Sequence, residues 1–353
     1  MDMSPLISDV AASTERRVAV VGSGVAGLSA AHHLQAQGGY HVTLFEADAT
    51  LGGHANTVDV TLPDAQGQPV THGVDTGFLV MNERTYPGLL GKLDELGVRI
   101  APSDMSFSVQ VPDGRGPGKP LEWSGNNLDT VFSQRGNLLR PSFWRMLIDI
   151  VRFNAEATRL AHTPNDPRLS WPLSELLKQG GYSHAFTHGY FLPMLGCIWS
   201  CPTEQMLAFP VATMVRFCHN HGLLQVSNRP QWYTVAGGSR QYVQRIAAML
   251  PDVRTHTPVL AVHPRDHGGV MLATADRLER FDAVVMACHT DQALQILGLQ
   301  ATHAEKRLLG AIRYQANRAV LHTDASVMPS QRKTWAAWNY ERSAHLGQEQ
   351  AQV

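Results

Sequence analysis

Near the start of the chain, Gly22-Ser23-Gly24-Val25-Ala26-Gly27 has the spacing G-x-G-x-x-G. That spacing suits a loop folded over a diphosphate. The first glycine permits a tight turn, the second lets backbone approach phosphate oxygens, and the third allows close helix–strand packing. The chemistry is electrostatic, because a helix starting at such a loop points its free N–H groups at the anion. Glu46 follows Gly27 by 19 residues, near the ~20 at which an acidic residue meets a ribose. Its carboxylate accepts hydrogen bonds from ribose hydroxyls and repels a 2′-phosphate, which disfavours NADP. NAD and FAD both present ADP, so this fingerprint leaves the two open.

The elements that must position these residues are legible in the same stretch. Val18 to Val21 is a short apolar run suited to a parallel strand buried on both faces. Val25, Leu28, Ala31 and Leu34 recur at helical spacing, and Gly38-Gly39 closes that helix. His41 to Glu46 reads as a second strand, completing a βαβ start. Thr57 to Val80 suggests a hairpin, Arg84 to Leu96 a helix ended by Gly97, and residues 112–120 an exposed Pro/Gly loop. Residues 138–224 read as mostly helical. Downstream come a helix from Tyr242 to Leu250 and strands at Val259 to Val262, Val270 to Ala273 and Ala283 to Ala287. The expected class is α/β: a Rossmann-like dinucleotide-binding domain (16–80 and 232–293) interrupted by a mainly helical substrate domain (81–231 and 294–353). Residues 1–15 form a polar tail.

Downstream of Glu46, the run Gly52-Gly53-His54-Ala55-Asn56-Thr57 resembles the E-x5-G-G-R-x-x-T signature of the flavin amine-oxidase superfamily. That superfamily includes the phytoene desaturases and protoporphyrinogen oxidases, and a bacterial branch described only as predicted NAD/FAD-binding proteins. His54 replaces the usual Arg, giving up a bidentate donor. The resemblance implies FAD, held by Gly22, Ser23, Gly24, Val25, Ala26, Gly27, Glu46, Ala47, Gly52, Gly53 and His54. It adds backbone near the ring from Thr76, Gly77 and Phe78, near adenine from Val259, and near the ribityl chain from His289. Val235 to Ser239 matches the family's return into the cofactor domain.

The implied activity is removal of a hydride equivalent from a C–H bond, with the ring carrying the chemistry. No side chain is required as a base; His219, His221, Tyr233 and Trp338 are the candidates on the substrate side. The stretch Tyr314 to Val320 loosely matches the segment in which amine oxidases place a Lys, and contains Arg318 but no Lys. That favours an apolar substrate, an acyl lipid or isoprenoid, over an amine. The rivals are an amine oxidase, a flavin-binding protein without turnover, and an NAD-dependent dehydrogenase. The family also ends in a Gly-containing segment that returns to the flavin ring. The polar stretch Gly347 to Val353 does not match it, which suggests a shortened form with loosely held FAD and a lower flavin potential.

Other constellations point to packing. His184-x3-His188 and Cys197-x3-Cys201 have metal-like spacing, but apolar Phe191 to Leu195 leads into the cysteines, so no metal is expected. All seven tryptophans lie from Trp123 onward, enough aromatic surface to line an apolar cavity. The amphipathic stretch Arg140 to Leu160 suits a core-facing helix, or transient contact with a membrane surface. A net charge of −1 over 353 residues argues against a nucleic-acid partner. Four cysteines do not make a disulfide scaffold, and Arg16-Arg17 belongs to a strand rather than an export signal. The expectation is a cytoplasmic protein.

Overall fold

The computed structural model describes residues 15–200, 203–225, 228–342 and 351–352. Residues 1–14 of the tail, Cys201, and residues 347–350 and 353 of the final stretch lie outside the described residues. The chain forms two compact units. One takes the residues up to Leu79, Gly91–Ile100 and Val235–Tyr314; the other takes Val80–Leu90, Ala101–Thr234 and Gln315 onward.

The first unit is built on a parallel sheet. Strand Arg16–Val21 lies between Tyr40–Phe45 and Ala283–Met286, with Asp252–Arg254 beyond Tyr40–Phe45. Val18 pairs with both Val42 and Ala283. A central parallel strand is covered on both faces, and Val18 to Val21 are accordingly buried throughout. Ala19 and Val21 pack with Phe45, Val262, Leu272 and Phe281, the last three from an antiparallel sheet of Ala261–Pro264, Val270–Ala273 and Leu278–Phe281. Helix Val25–Gln37 follows the glycine loop and buries Leu28 and Ala31. Val25 departs from the expected apolar stripe: it is 48% exposed, because it stands on the helix's first turn at the open end of the loop.

Several boundaries shift for local reasons. The helix expected from Arg84 begins at Pro87, because Asn82 Oδ1 accepts from the N–H groups of Arg84 and Thr85 and holds them in a turn. The helix expected from Tyr242 starts at Arg240, whose N–H donates to Thr57 Oγ1. Val259 lies ahead of its strand rather than in it. Pro258 has no N–H to give a ladder, and pairing starts only with Leu260 N donating to Ala273 O.

The second unit combines helices with a sheet. Trp338–Arg342 runs parallel to Phe107–Val111, which pairs antiparallel with Leu121–Ser124; residues 112–120 are the loop joining those two strands. Helix Pro141–Ala161 buries Phe143, Met146, Phe153 and Leu160, while Trp144, Ile148 and Val151 stay exposed on its outer side. Residues His184–Phe186, Thr187–Phe191 and Leu192–Trp199 run on as one helix with a π turn in the middle, stopped at Ser200 (φ 46°). No helix among the described residues is long and apolar enough to cross a membrane.

Candidate functional site

In the first unit three loops meet at the end of strand Arg16–Val21, and glycine decides how closely. Gly27 has no room for a side chain, since a Cβ would lie 1.8 Å from Gly22 O. Gly24 is the opposite case: its φ of −59° suits any residue, and a Cβ there would meet nothing within 4 Å. Its missing side chain leaves space beside the start of helix Val25–Gln37, which has no side-chain cap and no acidic residue in its first turn. This is the geometry that receives an anion. A Cβ on Gly53 would stand 3.2 Å from Gly24 Cα, and one on Gly77 would sit 2.3 Å from His54 O. Phe78 N donates to that same oxygen at 2.8 Å. The segments 22–27, 52–54 and 76–78 thus form one cradle, largely walled by backbone.

Glu46 does more than the fingerprint implies. Its Oε2 accepts from Ser23 N at 2.9 Å and from Ser23 Oγ, while Oε1 accepts from Asp48 N at 2.9 Å. Ser23 Oγ in turn accepts from Gly52 N at 3.1 Å. The carboxylate therefore ties the glycine loop to the Gly52-Gly53 loop before any ribose is considered. Ala47 stands exposed next to it, and Val259 turns its side chain into the core, leaving only its backbone available. Asp75 plays a matching role for the hairpin: its carboxylate accepts from Ser239 N and Oγ and from Thr57 Oγ1. That joins the stretches 74–78 and 235–239, which sequence reading named separately.

At the exposed edge of this cradle the His54 ring stacks over His289 at 5.9 Å, and His289 over Tyr314 at 4.3 Å. Tyr314 Oη accepts from Thr290 N, at the start of helix Thr290–Leu297. Sequence reasoning named both histidines, and Tyr314 only as the start of the stretch matched to the Lys segment; it did not find the stack, whose members lie far apart along the chain.

The second unit holds a half-open cavity of about 460 Å³. Its apolar lining includes Tyr190, Met194, Ile198, Leu223, Trp232 and Trp338; Asp104, His221 and Arg229 are among its ionisable groups. His221 and Trp338 are among the four substrate-side candidates. The other two candidates are not in its lining: His219 packs edge-on to His162, and Tyr233 pairs with Met81 in a strand. Burial, then the neighbouring His162 and Arg84, hold the His219 pKa below its usual value. His221 Nδ1 lies 2.9 Å from Phe217 O; a carbonyl only accepts, so Nδ1 carries a proton. Cys197 also lines the cavity, and burial raises its thiol to about 12, which disfavours a thiolate nucleophile at neutral pH. The described residues contain no group of three or more His, Cys, Asp or Glu side chains placed to share a metal.

A backbone-walled cradle at an uncapped helix start in one unit and an aromatic-lined cavity in the other are of the kind that dinucleotide-dependent proteins use. The model of the flavin containing amine oxidoreductases matches residues 25–320, and the chain belongs to that family. It is 30% identical to the carotenoid phi-ring synthase of Streptomyces griseus over 76% of this chain and 52% of that protein. Among solved structures it is similar in fold to cyclohexylamine oxidase from Brevibacterium oxydans (TM-score 0.60, 20% identity, 84% of this chain and 63% of that one). It is also similar to a fatty acid isomerase from P. acnes (TM-score 0.57, 16% identity, 84% and 64%). The chain spans about half the length of the carotenoid synthase.

Proposed function

We propose that the first unit binds FAD and that the protein is an FAD-dependent oxidoreductase acting on a C–H bond of an apolar molecule. The observation that carries the cofactor reading is Gly24: an unobstructed backbone approach at an uncapped helix start, with Glu46 closing the next strand. Gly22 to Gly27 and Gly52 to His54 would hold the diphosphate, Glu46 the ribose, and Thr76 to Phe78 the approach to the ring. FAD would supply the acceptor for a hydride equivalent.

The chain's own residues would bind and orient the substrate. Trp232, Trp338, Tyr190 and Met194 offer an apolar surface, and bulk water is displaced as that surface is covered. His221, whose Nδ1 is held by Phe217 O, is the ring that would face the substrate there. The family relative that synthesises a carotenoid ring supports an isoprenoid-like substrate. Anaerobic mixing of the FAD-loaded chain with a polyene, with a fatty acid and with cyclohexylamine tests this reading. Loss of the oxidised flavin band with an apolar probe supports it; bleaching by the amine alone replaces it with amine oxidation.

A further inference from the structure

The π turn separates two cavities. From segment 184–199, Tyr190, Met194, Cys197 and Ile198 face the cavity above, whereas His184, Ala185, His188 and Gly189 line a second one of about 350 Å³. No residue lines both. The second cavity has an apolar floor of Val111, Leu121, Phe143 and Met146, and a cationic rim of Arg140 and Arg342 with His184 and His188.

Gly189 keeps that floor open. A Cβ on it would sit 3.1 Å from Met146 Sδ and 3.9 Å from Leu121 Cδ2, both floor residues. The π turn places this glycine where an ordinary helical side chain would fill the space, and π bulges recur at functional sites. At the rim, Arg140 spends one N–H on Gly114 O at 3.3 Å. Among the described residues neither Arg140 nor Arg342 enters an ion pair. The rings of His184 and His188 stack at 4.2 Å beside them. The acidic residue of the lining, Asp113, is engaged with its own loop, where it accepts from Gly118 N.

Two guanidinium forks match a carboxylate or phosphate, and a compact apolar floor beneath them matches a hydrocarbon tail. We propose that this cavity is a binding site for an amphiphilic anion: one acidic head group on an unbranched apolar chain. The site lies wholly in the second unit and does not depend on the flavin reading.

Calorimetric titration of the full chain with decanoate and with decyl phosphate, both below their micelle-forming concentrations, tests it. The expected result is saturable binding of one molecule per chain. Arg140→Gln combined with Arg342→Gln should weaken binding by at least about tenfold, because both charge-assisted pairs are lost. Inorganic phosphate and decanol should each bind at least about tenfold more weakly than decyl phosphate, since each offers half of the interaction. The tighter of the two anionic probes identifies the head group. Gly189→Leu should close the floor; if it fails to fold, the arginine variants, both at the rim, still decide. Absence of saturation with either probe, an unweakened double arginine variant, or decanol binding as tightly as decyl phosphate overturns the proposal.

Discussion

Glu46 shows how one side chain carries a structural and a binding task together. Ser23 is fully buried, and its N–H and hydroxyl both end on the Glu46 carboxylate. Glu46→Ala should therefore lower stability by about 1–3 kcal/mol through unsatisfied donors, apart from any effect on ligand. Glu46→Gln retains one acceptor oxygen, so it should melt closer to wild type. It should still bind FAD weaker by about 1–3 kcal/mol, because a charged acceptor for the ribose is gone. Thermal melts paired with FAD titrations separate the two effects. Equal FAD affinity in wild type and Glu46→Gln would remove Glu46 from the ribose site. The ribose role was legible in the sequence because it depends on spacing; the clasp on Ser23 was not, because it depends on where two loops meet.

At the scale of elements, Asp149 fastens helix Pro141–Ala161 to the start of segment 184–199. Its buried carboxylate accepts from Ser183 N at 3.0 Å and Arg145 Nε at 3.2 Å, with Arg152 Nη2 3.2 Å away. Burial alone would raise its pKa, but the hydrogen bonds from Ser183 and Arg145 outweigh it and hold the group below the usual carboxylate value. A folded-state pKa lower than the unfolded one gives stability that is present above the unfolded value of about 3.9 and lost as pH falls through the folded value. Asp149→Asn should cost about 1–3 kcal/mol at neutral pH and flatten the loss of helical signal in acid. Melts followed by circular dichroism at pH 7 and pH 3 check this, and parallel pH dependence in both proteins would contradict it. Elements with local causes, such as the βαβ start and strand Val270–Ala273, could be read directly. The π turn could not, since Thr187 to Phe191 carries no sequence mark of its wider hydrogen-bonding pattern.

Across the whole molecule, legibility follows chain distance. The cradle's main pieces lie within residues 22–78 and bear glycines whose purpose is local. The cavity of the second unit draws on Ser103 to Phe107, on Tyr190, Met194, Cys197 and Ile198, on His221 to Leu223 and Arg229 to Trp232, and on Trp338. Parallel pairing of Trp338 with Phe107 brings the ends of that list together across more than two hundred residues. Composition announced enough aromatic residues for a cavity but could not say which would line it, so His219 and Tyr233 were candidates on equal terms with His221 and Trp338.

The central claim is that the cradle at Gly24 receives the diphosphate of FAD, and titration of FAD into the purified chain and its Gly24→Val variant tests it most directly. The variant side chain meets no protein atom at its Cβ and the backbone there is unstrained, so stability should change by no more than about 1 kcal/mol, the scale of an N-cap substitution. The account predicts that the wild type binds one FAD per chain, while the variant, folded and melting alike, binds none. A folded wild-type chain that takes up no FAD, or a variant that binds it as tightly as wild type, would contradict the account.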